Sequence, residues 1–342
     1  MPSAAKQISA AIAAALNGAI SFEKFMELSL YSQNGFYNTV GQAGRRGDFL
    51  TSPEVGPLFG AVIAQAIDSR WHELGCPKKF TIVEVGAGPG TLAKSVLKAD
   101  LECRAALSYI AVETSLAQRN LHPTEVISQN QMPSESFVGM IIANELLDNL
   151  PFRLFVFDNQ WQEAFVIERD EKFLEVLHTV NDVPVWLPKN PPHGTRLPVQ
   201  HQAQRWLATN LDLIEHGSLI IFDYCLTSEV ASTKPWRDWL RTYRDHKLGG
   251  HYLSQPGEQD ITSHVMIDQL AMITEPTRIS RQADWLIEHG LNTLVDEGRR
   301  YWQVHAAKPD LQAIKMRSRV TESESLCALD GLGNLKVLEW FK

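Results

Sequence analysis

The chain has 342 residues, of which 44% are hydrophobic and 21% charged, a composition that supports a folded core and excludes a disordered chain. Its formal net charge of −8 disfavours non-specific binding to nucleic acid and favours small molecules or protein partners. No run approaches the ~18 consecutive apolar residues of a membrane-spanning helix. The four cysteines form no C-x-x-C pair, so we expect reduced thiols and a cytoplasmic location.

Residues 1–75 predict a helical N-terminal extension that contains one glycine-rich loop. Near its start, Ile8, Ile12 and Leu16 follow one another at intervals of four, which places them on one face of a helix. We expect an amphipathic surface helix there rather than a secretion signal. Ser21 is a residue type that caps helices, so a second helix is predicted to begin after it.

The loop of this extension leads into a third predicted helix. Ser52 is expected to be its N-cap, because Pro53 suits the first helical position and Glu54 the first turn. We expect the helix to end near residue 75, where glycine and proline follow. Its apolar face is predicted to be buried and consists of Leu58, Phe59, Val62, Ile63, Ala66 and Ile67.

From residue 80 onward, short β-branched runs alternate with helical segments. The predicted strands are 80–85, 107–113, 138–143 and 218–224, and the predicted helices between them are 91–98, 115–121 and 199–215. The strands show little polar alternation, which is typical of a parallel sheet covered by helices on both faces. The sequence therefore predicts an α/β fold of the Rossmann-like type.

Several segments interrupt or follow this alternation. Residues 152–178 predict three antiparallel strands, because turn residues separate three β-rich runs. Residues 230–275 are predicted to be irregular, a helix is expected over 292–316, and a last strand over 335–340 should lie antiparallel at the sheet edge. The predicted domains are the extension, 1–75, and a core, 76–342, with insertions at about 152–200 and 230–275.

The most informative motif is a glycine turn between the first core strand and the following helix. Its glycines are Gly86, Gly88 and Gly90, and Glu84 precedes the first of them by two residues. Glycines at such a turn let the backbone approach a ligand closely. The dinucleotide pattern G-x-G-x-x-G is not met, because its third glycine position is Thr91. Glu84 would repel a pyrophosphate but suits the ammonium of S-adenosylmethionine, although a tight turn without a ligand remains open.

Glu113, at the end of the next strand, supports a nucleotide-like ligand. A carboxylate in this position is placed to accept hydrogen bonds from two ribose hydroxyls. The alternative is a surface glutamate that caps the helix after it.

The strand over 138–143 leads into the segment Asn144 to Pro151, which carries Asn144, Glu145 and Asp148. Ligands of open α/β sheets bind at the carboxyl ends of the strands, so these side chains should lie beside the methyl donor. Carboxylates there suit a cationic acceptor such as arginine, through paired hydrogen bonds to its planar guanidinium. In-line methyl transfer would then need the acceptor to be positioned and desolvated. A purely local role, in capping or pairing a turn, remains the alternative.

Five motifs in sequence order resemble the MidA family of methyltransferases. They are GDFLTSPEVGPLFG at 47–60, EVGAGPGTL at 84–92, NELLDNLP at 144–151, RDHKL followed by QPGEQDIT within 244–262, and GLGNLKVLEW at 331–340. The resemblance covers nearly the whole chain and implies a class I methyltransferase fold with S-adenosylmethionine as cofactor. It also implies a protein acceptor, which in the family's mitochondrial branch is an arginine of a respiratory complex I subunit.

The resemblance also implies roles for individual residues. The glycines of the turn and Glu113 match the donor-binding positions, and Asn144, Glu145 and Asp148 match the motif on the acceptor side. The N-terminal loop is implied to fold over the site as a lid, through residues Asp48, Thr51, Ser52 and Glu54. We expect Asp48, Thr51, Ser52 and also Asn144 to contribute to cofactor binding, and plain helix capping is the alternative for the loop residues. The sequence departs from the family pattern at Cys225, in 242–253 and in 179–200, and these departures bear on the acceptor rather than on the donor.

Other polar residues carry weaker signals. The histidines show no H-E-x-x-H spacing, so no metal site is predicted; those considered are His193, His201, His246, His251 and His264. A basic cluster near Trp236 and Trp239 is either a solvated surface or a contact for an acidic protein; it consists of Arg241, Arg244, His246 and Lys247.

Two classes of function therefore remain. The first is a methyltransferase acting on a protein side chain, and the second is an assembly factor or scaffold that retains the methyltransferase fold without catalysis. A nucleotide-dependent oxidoreductase is disfavoured by Thr91.

Overall fold

The computed structural model describes residues 3–39, 51–244 and 247–342. Its helices are α1 (Ala4–Ala14), α2 (Phe22–Tyr31), α3 (Phe36–Thr39), α4 (Ser52–Val55), α5 (Pro57–Glu73), α6 (Thr91–Leu97), α7 (Leu116–Arg119), α8 (His201–Asp212), α9 (Ser228–Thr233), α10 (Ile267–Ala271), α11 (Gln282–Glu288), α12 (Leu291–His305) and α13 (Leu311–Cys327).

The strands follow the same chain order. They are β1 (Ile20–Ser21), β2 (Phe80–Val85), β3 (Leu107–Val112), β4 (Ile127–Gln129), β5 (Phe137–Asn144), β6 (Arg153–Asp158), β7 (Gln160–Arg169), β8 (Lys172–His178), β9 (Arg196–Val199), β10 (Ile214–Asp223), β11 (Cys225–Leu226), β12 (Leu240–Arg244), β13 (Lys247–Leu248), β14 (Asp260–Ser263), β15 (Val265–Met266), β16 (Arg278–Arg281) and β17 (Lys336–Phe341).

A seven-stranded sheet forms the centre of the fold, in the order β16-β17-β10-β5-β2-β3-β4. The five strands from β10 to β4 are parallel, and β17 is antiparallel to β10. The predicted α/β class I methyltransferase fold is confirmed. The last strand was predicted at the sheet edge, and this is wrong, because β16 pairs with its outer side.

Both faces of this sheet are covered. Successive residues of a strand point to opposite faces, and they pack into two different hydrophobic clusters. On β2, Ile82 packs with α5, α6 and α11 to α13, whereas Val83 packs with α8 and α10. The same alternation recurs at Ile142 and Ile141 of β5. This double burial explains why the strands are uniformly apolar in sequence. All six residues of the predicted apolar face of α5 are buried.

A second sheet, β1-β7-β6-β9 with β8 on β7, is antiparallel and confirms the predicted insertion over 152–178. Its tight turns use left-handed residues at Asn159, Asp170 and Glu171, where the sequence indicated turns. Helices α1 and α2 pack on this sheet, not on the central one. The domain boundary after residue 75 stays a prediction.

Three other sequence predictions are corrected. The described part of 230–275 is not irregular throughout, because it contains a three-stranded sheet, β13-β12-β14, and the strand β15, which pairs with β11 just before this segment. The helix predicted over 292–316 is two helices, since Pro309 interrupts it and Asp310 caps α13 by accepting from the Ala313 N–H. Leu16 lies beyond the end of α1 and is fully exposed.

The start of the predicted third helix also differs from expectation. Ser52 is the first helical residue of α4 and not its cap; Thr51 is the N-cap position and makes no capping hydrogen bond through its side chain. Gly56 then separates α4 from α5. The carboxylate of Glu322, on α13, accepts the Leu58 N–H at 2.8 Å, so the N-terminus of α5 is capped from a distant helix.

We expect Glu322→Gln to lower the free energy of unfolding by about 1 kcal/mol, because the helix N-terminus loses a negative charge while the amide oxygen still accepts. Urea denaturation of both proteins measures the difference. Glu324→Gln is the matched control, since Glu324 is an exposed residue of the same helix. Equal unfolding midpoints for the two variants would contradict the capping role.

Candidate functional site

A cavity of about 310 Å³ opens at the carboxyl ends of β2, β3 and β5. This is the edge of a parallel sheet where ligands bind, and the volume is in the range of small-molecule sites. Its floor is the glycine turn, and its walls come from the ends of β3 and β5, from α4 and from two tyrosines, Tyr31 and Tyr37. The predicted site residues that line it are Thr51, Glu84, Gly86, Gly88, Glu113, Asn144 and Glu145.

The three glycines of the turn all adopt left-handed backbone conformations, with φ of +71°, +52° and +75° in order. A Cβ on Gly88 would meet no atom of a described residue within 4 Å, so this glycine presents bare backbone to the cavity. A Cβ on Gly86 would meet Leu146 at 3.0 Å. Gly90 is the N-cap of α6 and does not line the cavity, because Pro123 and His122 pack beside it.

Glu113 is half-buried and links the turn to the end of β3. Its Oε2 accepts the Gly88 N–H at 3.0 Å, and its Oε1 accepts the Ser115 N–H at 2.8 Å. The second bond is local and corresponds to the alternative role predicted for Glu113, that of a glutamate at the start of the next helix. Each carboxylate oxygen has a further lone pair, so the same side chain can still accept from a ligand hydroxyl.

Glu84 is buried beneath the turn and accepts a hydrogen bond from the Tyr109 hydroxyl at 2.7 Å. Burial raises the pKa of Glu84 to about 8. A cation in the cavity would favour the charged carboxylate and lower this pKa again. The residue therefore suits an ammonium-bearing ligand, as the sequence predicted.

His122 holds the turn from the other side, and sequence reasoning missed it. Its Nε2 lies 2.8 Å from the Gly88 carbonyl oxygen, and its Nδ1 lies 2.9 Å from Ser128 Oγ. Because a carbonyl only accepts, Nε2 is the nitrogen that carries the proton. No spacing signal links residues 88 and 122, since β3 and α7 intervene.

On the opposite wall, Glu145 has φ of +48°, an uncommon conformation for a residue with a side chain. Its carboxylate accepts from Asn144 Nδ2 at 3.1 Å and from the Ser52 N–H. Burial, and then the charge of Asp148, raises the pKa of Glu145 to about 8. Asn144 Oδ1 is buried and has no hydrogen-bond partner among the described residues.

Asp148 lies behind this wall and does not itself line the cavity. Its Oδ2 accepts from the Thr262 hydroxyl at 2.5 Å. Its Oδ1 is buried, and no described residue forms a hydrogen bond with it. Burial raises the pKa of Asp148 to about 6. A buried carboxylate oxygen without a partner is costly when it is charged, which agrees with the raised pKa of this group.

Two further carboxylates, Asp223 and Asp260, were missed from the sequence. Asp223 Oδ2 accepts the Leu147 and Asp148 N–H groups at 3.0 and 3.3 Å. Burial, followed by the charge of Asp148, raises the pKa of Asp223 well above its usual value and that of Asp260 to about 7. Asp223 could have been found from its position at the end of a parallel strand.

Asp260 joins the site through long-range contacts. Its Oδ1 accepts from the Tyr37 hydroxyl at 3.1 Å and from Asn149 Nδ2 at 3.0 Å. The Tyr31 hydroxyl donates to the Asn149 carbonyl oxygen at 3.0 Å. We name the four carboxylates around this wall the acidic chamber: Glu145, Asp148, Asp223 and Asp260. In the described part of the chain no Lys, Arg or His lines the cavity, whereas Glu54, Glu84, Glu113 and Glu145 do, so the cavity favours a cation.

The segment predicted as a lid lies against the chamber. Thr51, Pro53 and Glu54 line the cavity, whereas Ser52 is fully buried and its hydroxyl donates to Gln282 Oε1 at 2.9 Å. Ser52 therefore anchors α4 rather than facing a ligand. Asp48 lies outside the described residues.

The raised pKa values predict that stability without ligand falls as pH increases. Below about pH 4 these carboxyls are protonated in both states, whereas between about pH 4 and 8 the unfolded chain loses protons that the folded protein keeps. The free energy of unfolding should therefore decrease across that window, by up to about 1.4 kcal/mol for each unit that a pKa is raised.

Chemical denaturation at a series of pH values measures this slope. Glu84→Gln should flatten it, while Glu135→Gln, at an exposed position, should leave it unchanged. Stability that rises between pH 5 and 8 would contradict the predicted ionisation of the site.

Comparisons with known proteins place this geometry in context. Residues 62–282 match the model of a family described as S-adenosyl-L-methionine-dependent methyltransferases. The Drosophila melanogaster protein named "Protein arginine methyltransferase NDUFAF7 homolog, mitochondrial" is 29% identical over 331 residues, covering 84% of this chain and 74% of that protein. The human protein named "Protein arginine methyltransferase NDUFAF7, mitochondrial" is 23% identical over 303 residues, covering 75% and 66% respectively.

A solved structure is similar over almost the whole chain. It is a Burkholderia thailandensis protein bound to S-adenosyl-homocysteine, with a TM-score of 0.82 and 23% sequence identity, covering 99% of this chain and 92% of that one. A native crystal structure from the same organism gives a TM-score of 0.79 at 22% identity. These likenesses show that the fold is shared.

Proposed function

The chain belongs to this family of S-adenosyl-L-methionine-dependent methyltransferases, and on that premise we propose that it methylates a protein side chain, with arginine as the acceptor. The observation that carries the proposal is the acidic chamber, which places buried carboxylates beside the donor cavity. One of them, Asp148, keeps an oxygen without a partner in the described structure.

The cofactor is S-adenosylmethionine, as the glycine turn predicted, and the cavity fits it. The space above Gly88 is open to the cavity, Glu84 suits an ammonium group, and Glu113 is placed for ribose hydroxyls. When bound, the cofactor would supply a methyl group to the acceptor nucleophile, with the carbon–sulfur bond breaking and S-adenosylhomocysteine leaving. The protein's part is to orient the acceptor, exclude water and hold the proton that is released.

The acidic chamber suits a guanidinium for two reasons. A guanidinium is planar, always charged and carries five N–H donors, so it can satisfy several carboxylate oxygens at once. Its positive charge also lowers the raised pKa values of the carboxyls, so that Glu145 and Asp148 become acceptors. As the attacking nitrogen gains a methyl group it releases one proton, and one of these two carboxylates receives it.

The names of the relatives support arginine as the acceptor, because the insect and human proteins are both called protein arginine methyltransferases. The resemblance to the MidA family adds a subunit of a respiratory complex as the candidate substrate protein. The cytoplasmic location stays a prediction, and cell fractionation would test it. In the described residues, no helix is both long and apolar enough to cross a bilayer.

The test uses purified protein, tritium-labelled S-adenosylmethionine and an extract of cells that lack the gene product. We expect label in protein, recovered as methylated arginine after acid hydrolysis. Label in another amino acid would overturn the choice of arginine. An absence of label from every protein, with cofactor binding intact, would favour a non-catalytic assembly factor that retains the fold.

A further inference from the structure

A group of basic side chains lies on β12 and in the segment before it, and β12 pairs with the strand β14 that contributes Asp260 to the acidic chamber. We name Lys234, Arg237 and Arg241 the basic ridge; Lys234 follows α9, Arg237 lies in the turn before β12, and Arg241 is on β12. Lys234 and Arg237 are exposed and Arg241 is half-buried. None of the three forms an ion pair with a carboxylate in the part of the chain that the structure describes.

The strand register connects this ridge to the acceptor side of the site. On the antiparallel pair β12 and β14, Arg241 is opposite Thr262 and Tyr243 is opposite Asp260. Residues directly opposite one another share a face of the sheet, with Cα atoms about 5 Å apart. Thr262 is the residue that donates to Asp148. The backbone of Arg241 therefore lies on the strand next to Thr262, the residue that contacts the acidic chamber.

The guanidinium of Arg241 is held in place by neutral groups. Its Nη2 donates to the Asp238 carbonyl oxygen at 2.8 Å, and its Nη1 lies 3.5 Å from the Tyr243 hydroxyl. Five N–H donors are available, so this arrangement orients the group and leaves donors for a ligand. Burial, and then the charges of Arg241 and Lys234, lower the pKa of His264 to about 4, and the nearby Asp238 carboxylate acts in the opposite direction.

We propose that the basic ridge binds an acidic residue of the acceptor protein, located within about three positions of the methylated side chain. This inference rests on the proposed function, because it assigns the residue that accompanies the acceptor arginine. The chamber is negative and the ridge positive, so together they match a segment in which an arginine and a carboxylate are close neighbours. The protein as a whole carries a net charge of −8 and would repel an acidic partner elsewhere.

The experiment compares two fluorescent peptides that contain one arginine, flanked on both sides by Asp in the first and by Asn in the second. Fluorescence anisotropy measures their binding to the protein saturated with S-adenosylhomocysteine. We expect the Asp peptide to bind roughly fivefold more tightly, with a preference that shrinks at high salt. Arg241→Gln should abolish the preference, and Arg241→Lys should retain much of it.

Arg300→Gln is the matched control, because Arg300 is exposed and also donates to a main-chain carbonyl oxygen, that of Asp296. Lys234→Gln provides a second test at an exposed position and should weaken the preference. An absence of preference in the wild-type protein, whether both peptides bind or neither does, would overturn the inference, as would an undiminished preference in Arg241→Gln. A single-stranded oligonucleotide that competes equally well would also overturn it. Methyl transfer to the peptides is measured separately, so a failure of the proposed function stays distinguishable.

Discussion

Gly88→Val is expected to abolish binding of S-adenosylmethionine. A valine there would project two methyl groups into space where no described residue places an atom within 4 Å of the Cβ position, which is the space the cofactor requires. The φ of +52° adds backbone strain of about 1–3 kcal/mol for a β-branched residue. Equilibrium dialysis with radiolabelled cofactor should show a loss of more than about 100-fold in affinity, which corresponds to about 2.7 kcal/mol.

Gly75→Val controls for the strain alone. Gly75 has φ of +76°, is exposed, and likewise has no neighbour within 4 Å of its Cβ position in the described parts of the chain, but it lies at the far end of α5. This variant should lose stability and keep its affinity for the cofactor. If both variants bind as tightly as the wild type, the turn does not form the floor of the cofactor site.

Asp148→Asn is expected to lower methyl transfer by about 100-fold or more while leaving cofactor affinity nearly unchanged. The asparagine oxygen can still accept from Thr262. The carboxylate oxygen without a partner, however, is replaced by an amide NH2 group. This group donates hydrogen bonds, cannot take a proton and repels a cation. Incorporation of label into the extract of cells without the gene product measures transfer, and equilibrium dialysis measures cofactor affinity.

Asp170→Asn makes the same chemical change in an exposed hairpin turn, where a left-handed backbone also suits asparagine. It should transfer methyl groups at the wild-type rate. If Asp148→Asn weakens cofactor binding as strongly as it weakens transfer, the assignment of Asp148 to the acceptor side is wrong.

The donor half of the site was predictable because its signals are local in sequence. The run from Phe80 to Val85 is β-branched and ends in glycines, so the strand and the turn after it were both predicted, and β2 has those bounds. Glu113 follows the next strand by the same logic. Each of these predictions needs only the rule that parallel strands present their carboxyl ends at one edge.

The acceptor half depends on contacts that have no local signature. Asp260 meets Tyr37 across 223 positions, and Thr262 meets Asp148 across 114, so no spacing in the sequence joins them. Ser52 illustrates the same limit, because a residue type that favours caps is recruited instead by Gln282, 230 positions away. Tertiary hydrogen bonds of this kind override the local preference.

The edge of the central sheet was mispredicted for a related reason. The run that forms β17 was predicted as the edge strand because β16 could not be recognised: β16 is only four residues long and carries arginine at both ends, so its sequence resembles a loop. Its pairing with β17 depends on the position of that strand, which follows it by more than fifty residues.

The most direct test is a calorimetric titration of the wild-type protein with S-adenosylmethionine, and in parallel with NADH. A cavity floored by the glycine turn, with Glu84 below and Glu113 beside it, should bind S-adenosylmethionine at one site per chain and NADH far more weakly. No heat of binding at millimolar S-adenosylmethionine, or tighter binding of NADH, would contradict the assignment of this cavity to the methyl donor.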